Sequence, residues 1–309
     1  MPDSLSPNPA NRFHGLAQVY ARCRPGYPAA AIDFIVERCG LGNGSLVVDV
    51  GSGTGISARL FAERGLRVLG IEPNAEMRAS AEAAAMPAGV AAPSYRDGTA
   101  SATGLADASA DAVLAAQAFH WFEPEPALRE FRRVLKPGGW VILMWNERDE
   151  GDPFTAAYGV VVRSAPEAAA IEMPRGQAGN ALLTSPLFHK SSRTVFPNEQ
   201  TMDEEGLLGR AFSASYAPRE PALAEAFAAA LRSVFARYQI SGSVVIRYET
   251  SVYLGQRPDN GDSAVGWIPI LSILTRQDQA GDPVFVTAPW CISTTCCAIR
   301  RTSLRSCVT

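Results

Sequence analysis

The chain has 309 residues, 47% apolar and 19% charged, which supplies a core and by length alone permits one domain or two. A formal net charge of −3 leaves no basic surplus to neutralise phosphates and argues against a nucleic-acid partner. No run reaches the roughly 18 to 20 apolar residues that cross a bilayer, and residues 1–12 lack a basic start followed by an apolar stretch. A cytoplasmic protein without membrane attachment is expected.

The first predicted helix opens at Pro28, with Ile32, Ile35, Val36 and Cys39 at i, i+3, i+4 and i+7. Ser45 to Val50 is a Val-rich run ended by glycine, as a strand buried on both faces requires. The turn Gly51-Ser52-Gly53-Thr54-Gly55 follows, and Ile56 to Arg64 has helical spacing. Glycine in such a turn lets the backbone approach a ligand, while the amides at the helix start face it. A second strand, Arg67 to Ile71, ends at Glu72, 21 residues after Gly51, where a carboxylate can accept both hydroxyls of a ribose. Asn74 is the expected N-cap of a helix through Met77 and Ala81, before a weak third strand near Ala92 to Tyr95.

Asp111 to Ala116 is the fourth strand. Leu128, Phe131, Val134 and Leu135 form the stripe of a helix that stops at Pro137-Gly138-Gly139, and Trp140 to Trp145 is the fifth strand. Residues 146–185 are rich in Ala, Gly and Pro, with a short helix around Phe154 to Arg163. Arg193 to Phe196 is taken as the sixth strand, with Pro197 opening a helix to about Phe212. Leu223, Phe227, Leu231, Val234 and Tyr238 sit at helical spacing and are expected in the core. Val244 to Leu254 alternates as a closing strand. Alternating helices and strands predict a doubly wound α/β sheet.

A dinucleotide fingerprint needs glycine at its sixth position, which counted from Gly51 is Ile56. The spacing that does stand here, Asp49-x-Gly51-x-Gly53-x-Gly55, resembles the first motif of class I S-adenosylmethionine-dependent methyltransferases. From Phe13 to Gln256 the chain is most similar to the small-molecule type 11 group. Phe13 to Tyr20 with Arg24-Pro25-Gly26-Tyr27-Pro28 resembles its lid; Ala118-Phe119-His120-Trp121-Phe122 and Arg133 to Gly139 supply two further landmarks in order. The resemblance implies a Rossmann-like, seven-stranded sheet with the last strand antiparallel, and S-adenosylmethionine as cofactor. It further implies a lid at 11–28, a cofactor core at 29–146, a substrate-side insertion at 147–240 and a closing strand at 241–256. Another nucleotide-cofactor enzyme, such as an NAD-dependent oxidoreductase, and a non-catalytic cofactor-binding protein are the alternatives.

The same resemblance assigns cofactor contacts to Asp49, Gly51, Ser52, Gly53, Thr54, Gly55, Glu72, Ser101, Gln117, Tyr20 and Arg24. At Ser101 the chain departs from relatives that carry an acidic residue near the adenine. The implied acceptor is a small molecule bearing a carboxylate or hydroxyl, walled by Phe119, Trp121 and Phe122; the composition leaves the oligomeric state open. His120, at the C-terminal edge of the sheet, is either a general base or part of the wall, and the wall is the preferred reading. His14 and His189 carry no motif, and no metal-ligand spacing is present in the sequence. Residues 257–309 break from the core in composition, with four of the six cysteines in the last 19 residues. They read as a non-native extension, with a small added subdomain as the alternative.

Overall fold

A computed structural model of the protein describes residues 17–166, 168 and 178–259. The expectations for Phe13, His14, part of the insertion and the cysteine-rich end lie outside these residues. Among the described residues seven strands form one sheet: β1 (Leu46–Val50), β2 (Arg67–Ile71), β3 (Ser94–Arg96), β4 (Ala110–Ala116), β5 (Leu135–Arg148), β6 (His189–Met202) and β7 (Val244–Gln256). Their order is β3-β2-β1-β4-β5-β7-β6. The first five are parallel, and β7 runs antiparallel to both β5 and β6, so the last of the described strands is inserted between its two predecessors.

The helices are α1 (Ala17–Cys23), α2 (Ala29–Arg38), α3 (Ile56–Ala62), α4 (Ala75–Glu82), α5 (Pro124–Val134), α6 (Pro153–Arg163), α7 (Asn180–Leu183), α8 (Glu204–Phe212) and α9 (Pro221–Tyr238). Strand alternation sends neighbouring residues of β1 to opposite cores. Val47 joins Ile32 and Ile35 of α2 and Phe61 of α3, whereas Val48 and Val50 join Leu128 and Phe131 of α5. A third core lies where β6 and β7 extend beyond the rest of the sheet. There Met202, Val244 and Ile246 pack with Tyr158, Leu207 and Leu231 from α6, α8 and α9. The long hairpin-like pair β6 and β7 thus carries a helical layer of its own.

Several boundaries differ from those expected. The third strand is Ser94–Arg96, where these three residues pair with Leu69, Gly70 and Ile71 of β2. Helix α5 ends at Val134; Leu135 is extended, at φ −67° and ψ 141°, and pairs with Ala110. Leu135 is fully buried as the first residue of β5, which is why it matched the apolar stripe of the helix before it. Pro197 to Thr201 lie in β6 and not in a helix. Since β6 is the edge of the sheet, an imide without N–H is tolerated there. The following helix starts at Asp203, whose side chain accepts a hydrogen bond from the Gly206 amide at 2.8 Å. Leu223, expected in the core, is 53% exposed at the start of α9.

The boundary at 256 also falls one residue early for the fold. Arg257 exchanges backbone hydrogen bonds with Gly138 and Gly139, and its guanidinium donates to the carbonyls of Arg132 and Leu135 at the end of α5. Truncation after Asp259 should therefore leave the melting midpoint and the affinity for S-adenosylhomocysteine unchanged. Truncation after Gln256 should lower the midpoint by several degrees, since it strips those helix-end carbonyls of their donor. Calorimetric scans of both truncated forms beside the full chain check this; a lower affinity in the longer form would mean that the terminal residues support the site.

Candidate active site

The C-terminal ends of β1, β2, β4 and β5 open into one cleft of about 940 Å³, measured to its open mouth. Open α/β sheets bind ligands at this edge, where the strand order reverses. Here the reversal lies between β1 and β4. The floor is the turn after β1. Gly51 is held by hydrogen bonds from its own amide and that of Ser52 to the Ile71 carbonyl, at 2.8 and 3.3 Å. Its φ is 70°, and a Cβ there would stand 2.7 Å from the Ala118 Cβ and 3.1 Å from the Phe122 ring, so only glycine fits. At Gly53 a Cβ would meet nothing within 4 Å. These amides are committed to the protein more fully than the motif alone suggests, because the Gly53 N–H also has a partner in Glu72.

Glu72 stands at the end of β2, 8% exposed. Its Oε2 accepts from the Gly53 amide and its Oε1 from the Asn74 amide, both at 2.9 Å. Burial raises its pKa above the ordinary carboxylate value, against the opposing pull of those two amides and Arg78. Each oxygen keeps capacity for a further donor, so the carboxylate is aimed and fixed before any ligand arrives. Asn74 also caps α4, accepting from the Met77 amide at 3.0 Å.

A second set of residues covers the cleft. Tyr20 belongs to α1, and Arg24, Pro25 and Tyr27 to the segment after it. That segment is tied down through Gly26, whose carbonyl accepts from Asn146 and Asn198 at 3.0 Å each. Asn146 in turn accepts from Thr250 at 2.6 Å, which links the cover to β5, β6 and β7. Gln117, directly after β4, adopts φ 54° and donates from Nε2 to the Asn146 carbonyl at 3.1 Å. A non-glycine residue in that region carries strain, and such strain gathers at functional sites.

The structure brings together most of the residues nominated from sequence, but not all. Tyr20, Arg24, Gly51, Ser52, Gly53, Thr54, Glu72 and Gln117 line the cleft, with Trp121 and Phe122. Gly55 does not line it; this residue packs against the Tyr95 hydroxyl, at φ 75°. Asp49 lies within the protein, fully buried, with Oδ2 accepting from the Ser57 hydroxyl at 2.6 Å and Oδ1 unpartnered. Burial, with a lesser push from Glu72, raises its pKa to about 7. Ser101 is exposed at the turn between Thr99 and Ala102, away from the cleft. Phe119 is 1% exposed and packs on Phe131, so it belongs to the core and not to the wall.

His120 does not line the cleft either. It sits in a single turn of 3-10 helix, stacked on Trp121 at 4.9 Å, with Nδ1 accepting from Trp145 Nε1 at 3.3 Å. Indole N–H is a donor only, so this bond makes Nδ1 the acceptor and puts the proton of the neutral ring on Nε2. Among the described residues no group of three or more His, Cys, Asp or Glu is arranged to hold a metal ion. Sequence reasoning missed Arg210, which lines the cleft from α8 and is 8% exposed. The legible signal was a cation at i+3 from Leu207 on the buried face of the helix.

These residues fit a nucleoside cofactor: an aimed carboxylate, a glycine turn open on its ligand side, and a buried Thr54 hydroxyl without a partner. Residues 48–143 match the family described as "Methyltransferase domain". With the 3-2-1-4-5-7-6 sheet this match supports a class I S-adenosylmethionine-dependent methyltransferase domain. An uncharacterised methyltransferase of Mycobacterium bovis is 43% identical over 138 residues, 45% of this chain and 53% of the relative. A malonyl-[acyl-carrier protein] O-methyltransferase of Erwinia pyrifoliae is 32% identical over 153 residues, 48% and 56% of the two chains. A solved structure of a proposed type II methyltransferase from Anaeromyxobacter dehalogenans superposes with a TM-score of 0.55 at 25% identity, covering 76% of this chain and 97% of the other. The chain thus spans about half the length of the curated relatives it matches. Among the described residues no helix is long and apolar enough to cross a membrane.

Proposed function

We propose that this protein methylates a small acceptor bearing a carboxylate or a hydroxyl, with S-adenosylmethionine as donor. The observation that carries the reading is the Glu72 carboxylate, pinned by the Gly53 and Asn74 amides inside a cleft also walled by Trp121 and Phe122. When bound, the cofactor supplies an electrophilic methyl group on a sulfonium. The chain's own part is to hold and to exclude: Glu72 and the Gly51 to Thr54 turn grip the nucleoside, Gln117 and the Asn146 network fix the rim, and Tyr20, Arg24 and Tyr27 keep water out. Holding two reactants in line and dry accounts for much of the acceleration in such a transfer. One relative is named as an O-methyltransferase, which supports an oxygen acceptor.

The test is incubation of the full chain with methyl-labelled S-adenosylmethionine and separate pools of small carboxylic acids, alcohols and amines. Protein-dependent label in an acid or alcohol pool supports the reading, and transfer confined to amines overturns the acceptor class. His120 is not a base in this scheme: it stands behind the cleft lining, against Trp121, with Nδ1 engaged by Trp145. His120→Gln should change turnover only a few-fold and leave cofactor affinity intact; removal of a general base would cost about 10² to 10⁴. Steady-state kinetics on the labelled acceptor decides between the two.

A further inference from the structure

Two arginines line the cleft without an acidic partner. Many of the chain's arginines meet a carboxylate, as Arg64 does Asp33 and Arg133 does Glu130, but among the described residues Arg24 and Arg210, which line the cleft, have none within ion-pair distance. Arg210 is 8% exposed and uses one of its donors, Nε, on the Tyr248 hydroxyl at 3.2 Å. Arg24 donates from Nη2 to the Ser213 carbonyl at 2.9 Å and lies over the Tyr20 ring at 4.5 Å, while its Nε is buried and unpartnered. A guanidinium offers five donors in a planar fork, so most of this capacity is unspent. Two like charges that are both withdrawn from water are costly unless an anion meets them.

Position separates this pair from the nucleoside grip. Arg210 comes from α8, in the helical layer on the extended ends of β6 and β7, whereas the glycine turn and Glu72 come from β1 and β2. Ser213, three residues beyond Arg210, donates its hydroxyl to the Arg210 carbonyl at 2.7 Å and accepts Arg24 on its own carbonyl, so Arg24 is anchored on the helix end that carries Arg210. We propose that Arg210, with Arg24 beside it, is the seat of a carboxylate on the acceptor, which makes the acceptor a small organic anion whose apolar part rests against Trp121 and Phe122. Planar bidentate recognition of a carboxylate is the chemistry that an arginine fork performs best. The inference rests on the methyltransferase reading for the word acceptor, but the anion seat itself does not.

The experiment titrates the full chain, saturated with S-adenosylhomocysteine, with a series of aliphatic dicarboxylates and benzoates and with their neutral amides. Binding is read by calorimetry and by intrinsic tryptophan fluorescence. At least one acid should bind about tenfold or more tightly than its amide, and Arg210→Met should abolish that preference with S-adenosylhomocysteine affinity held within about twofold. Arg210→Lys keeps the charge and should retain part of the preference, and a melting curve for each variant shows that it is folded. Equal binding of acids and amides, or an unaltered preference in Arg210→Met, overturns the proposal. Loss of S-adenosylhomocysteine affinity in Arg210→Met also overturns it, by assigning the seat to the amino-acid end of the cofactor. If the wild-type chain fails to bind S-adenosylhomocysteine at all, the methyltransferase reading fails. The acid and amide series run without that ligand still tests the seat.

Discussion

S-adenosylhomocysteine at about 100 times its dissociation constant should stabilise the protein by roughly 2.7 kcal/mol, and NAD should not. For a domain of this size the melting midpoint should rise by about 5 to 10 °C. We place the dependence in Glu72, whose oxygens are held by the Gly53 and Asn74 amides before any ligand is bound. Glu72→Ala removes a charge-assisted acceptor worth about 1.5 to 3 kcal/mol, so affinity should fall about 10- to 100-fold. The same substitution also strands two backbone amides, and the unliganded midpoint should drop as well. Glu72→Gln keeps one acceptor oxygen and should lie between. Calorimetric titration of the three forms separates affinity from stability; an unchanged dissociation constant in Glu72→Ala would remove this residue from the cofactor site.

Asp49 should make the unliganded protein less stable as pH rises from about 4 to 7. Burial moves its pKa from 3.8 to about 7 in the folded state. Between those values the unfolded chain has lost the proton and the folded chain retains it, so the native state binds more protons and stability falls with increasing pH. About three pKa units correspond to a decline on the order of 4 kcal/mol, complete near pH 7 and flat above it. Asp49→Asn should abolish the slope and be the more stable form at pH 8, less about 1 kcal/mol for a weaker bond from the Ser57 hydroxyl. Melting midpoints of both forms between pH 4.5 and 8.5 give the answer. Parallel curves would show that Asp49 is ionised throughout and that another group stabilises its charge.

The strand, turn and carboxylate that floor the cleft were legible because their interactions are local in sequence. A Val-rich strand, a turn that only glycine fits at Gly51, a helix after it, and a carboxylate 21 residues on specify one strand-turn-helix unit and its neighbour. Asn74 at the head of α4 was readable for the same reason, since a cap is decided within four residues. Errors began where the deciding contact was distant. Pro197 looked like a helix start until β6 proved to be a sheet edge, and Leu135 matched a helical stripe although Ala110 claims it for β5.

The sequence by itself determined the order of elements, the glycine turn and the carboxylate at the end of β2, through periodicity, backbone sterics and short-range capping. Only the tertiary structure decided which neighbours share the cleft. It turned Ser101 outward, buried Phe119 in the core, engaged His120 with Trp145, and brought Arg24 and Arg210 together across 186 positions of chain. The physical reason is that β7 enters between β5 and β6, and nothing local in sequence specifies that insertion. Its helices show an apolar stripe, but the partner that each stripe meets is set by packing at long range.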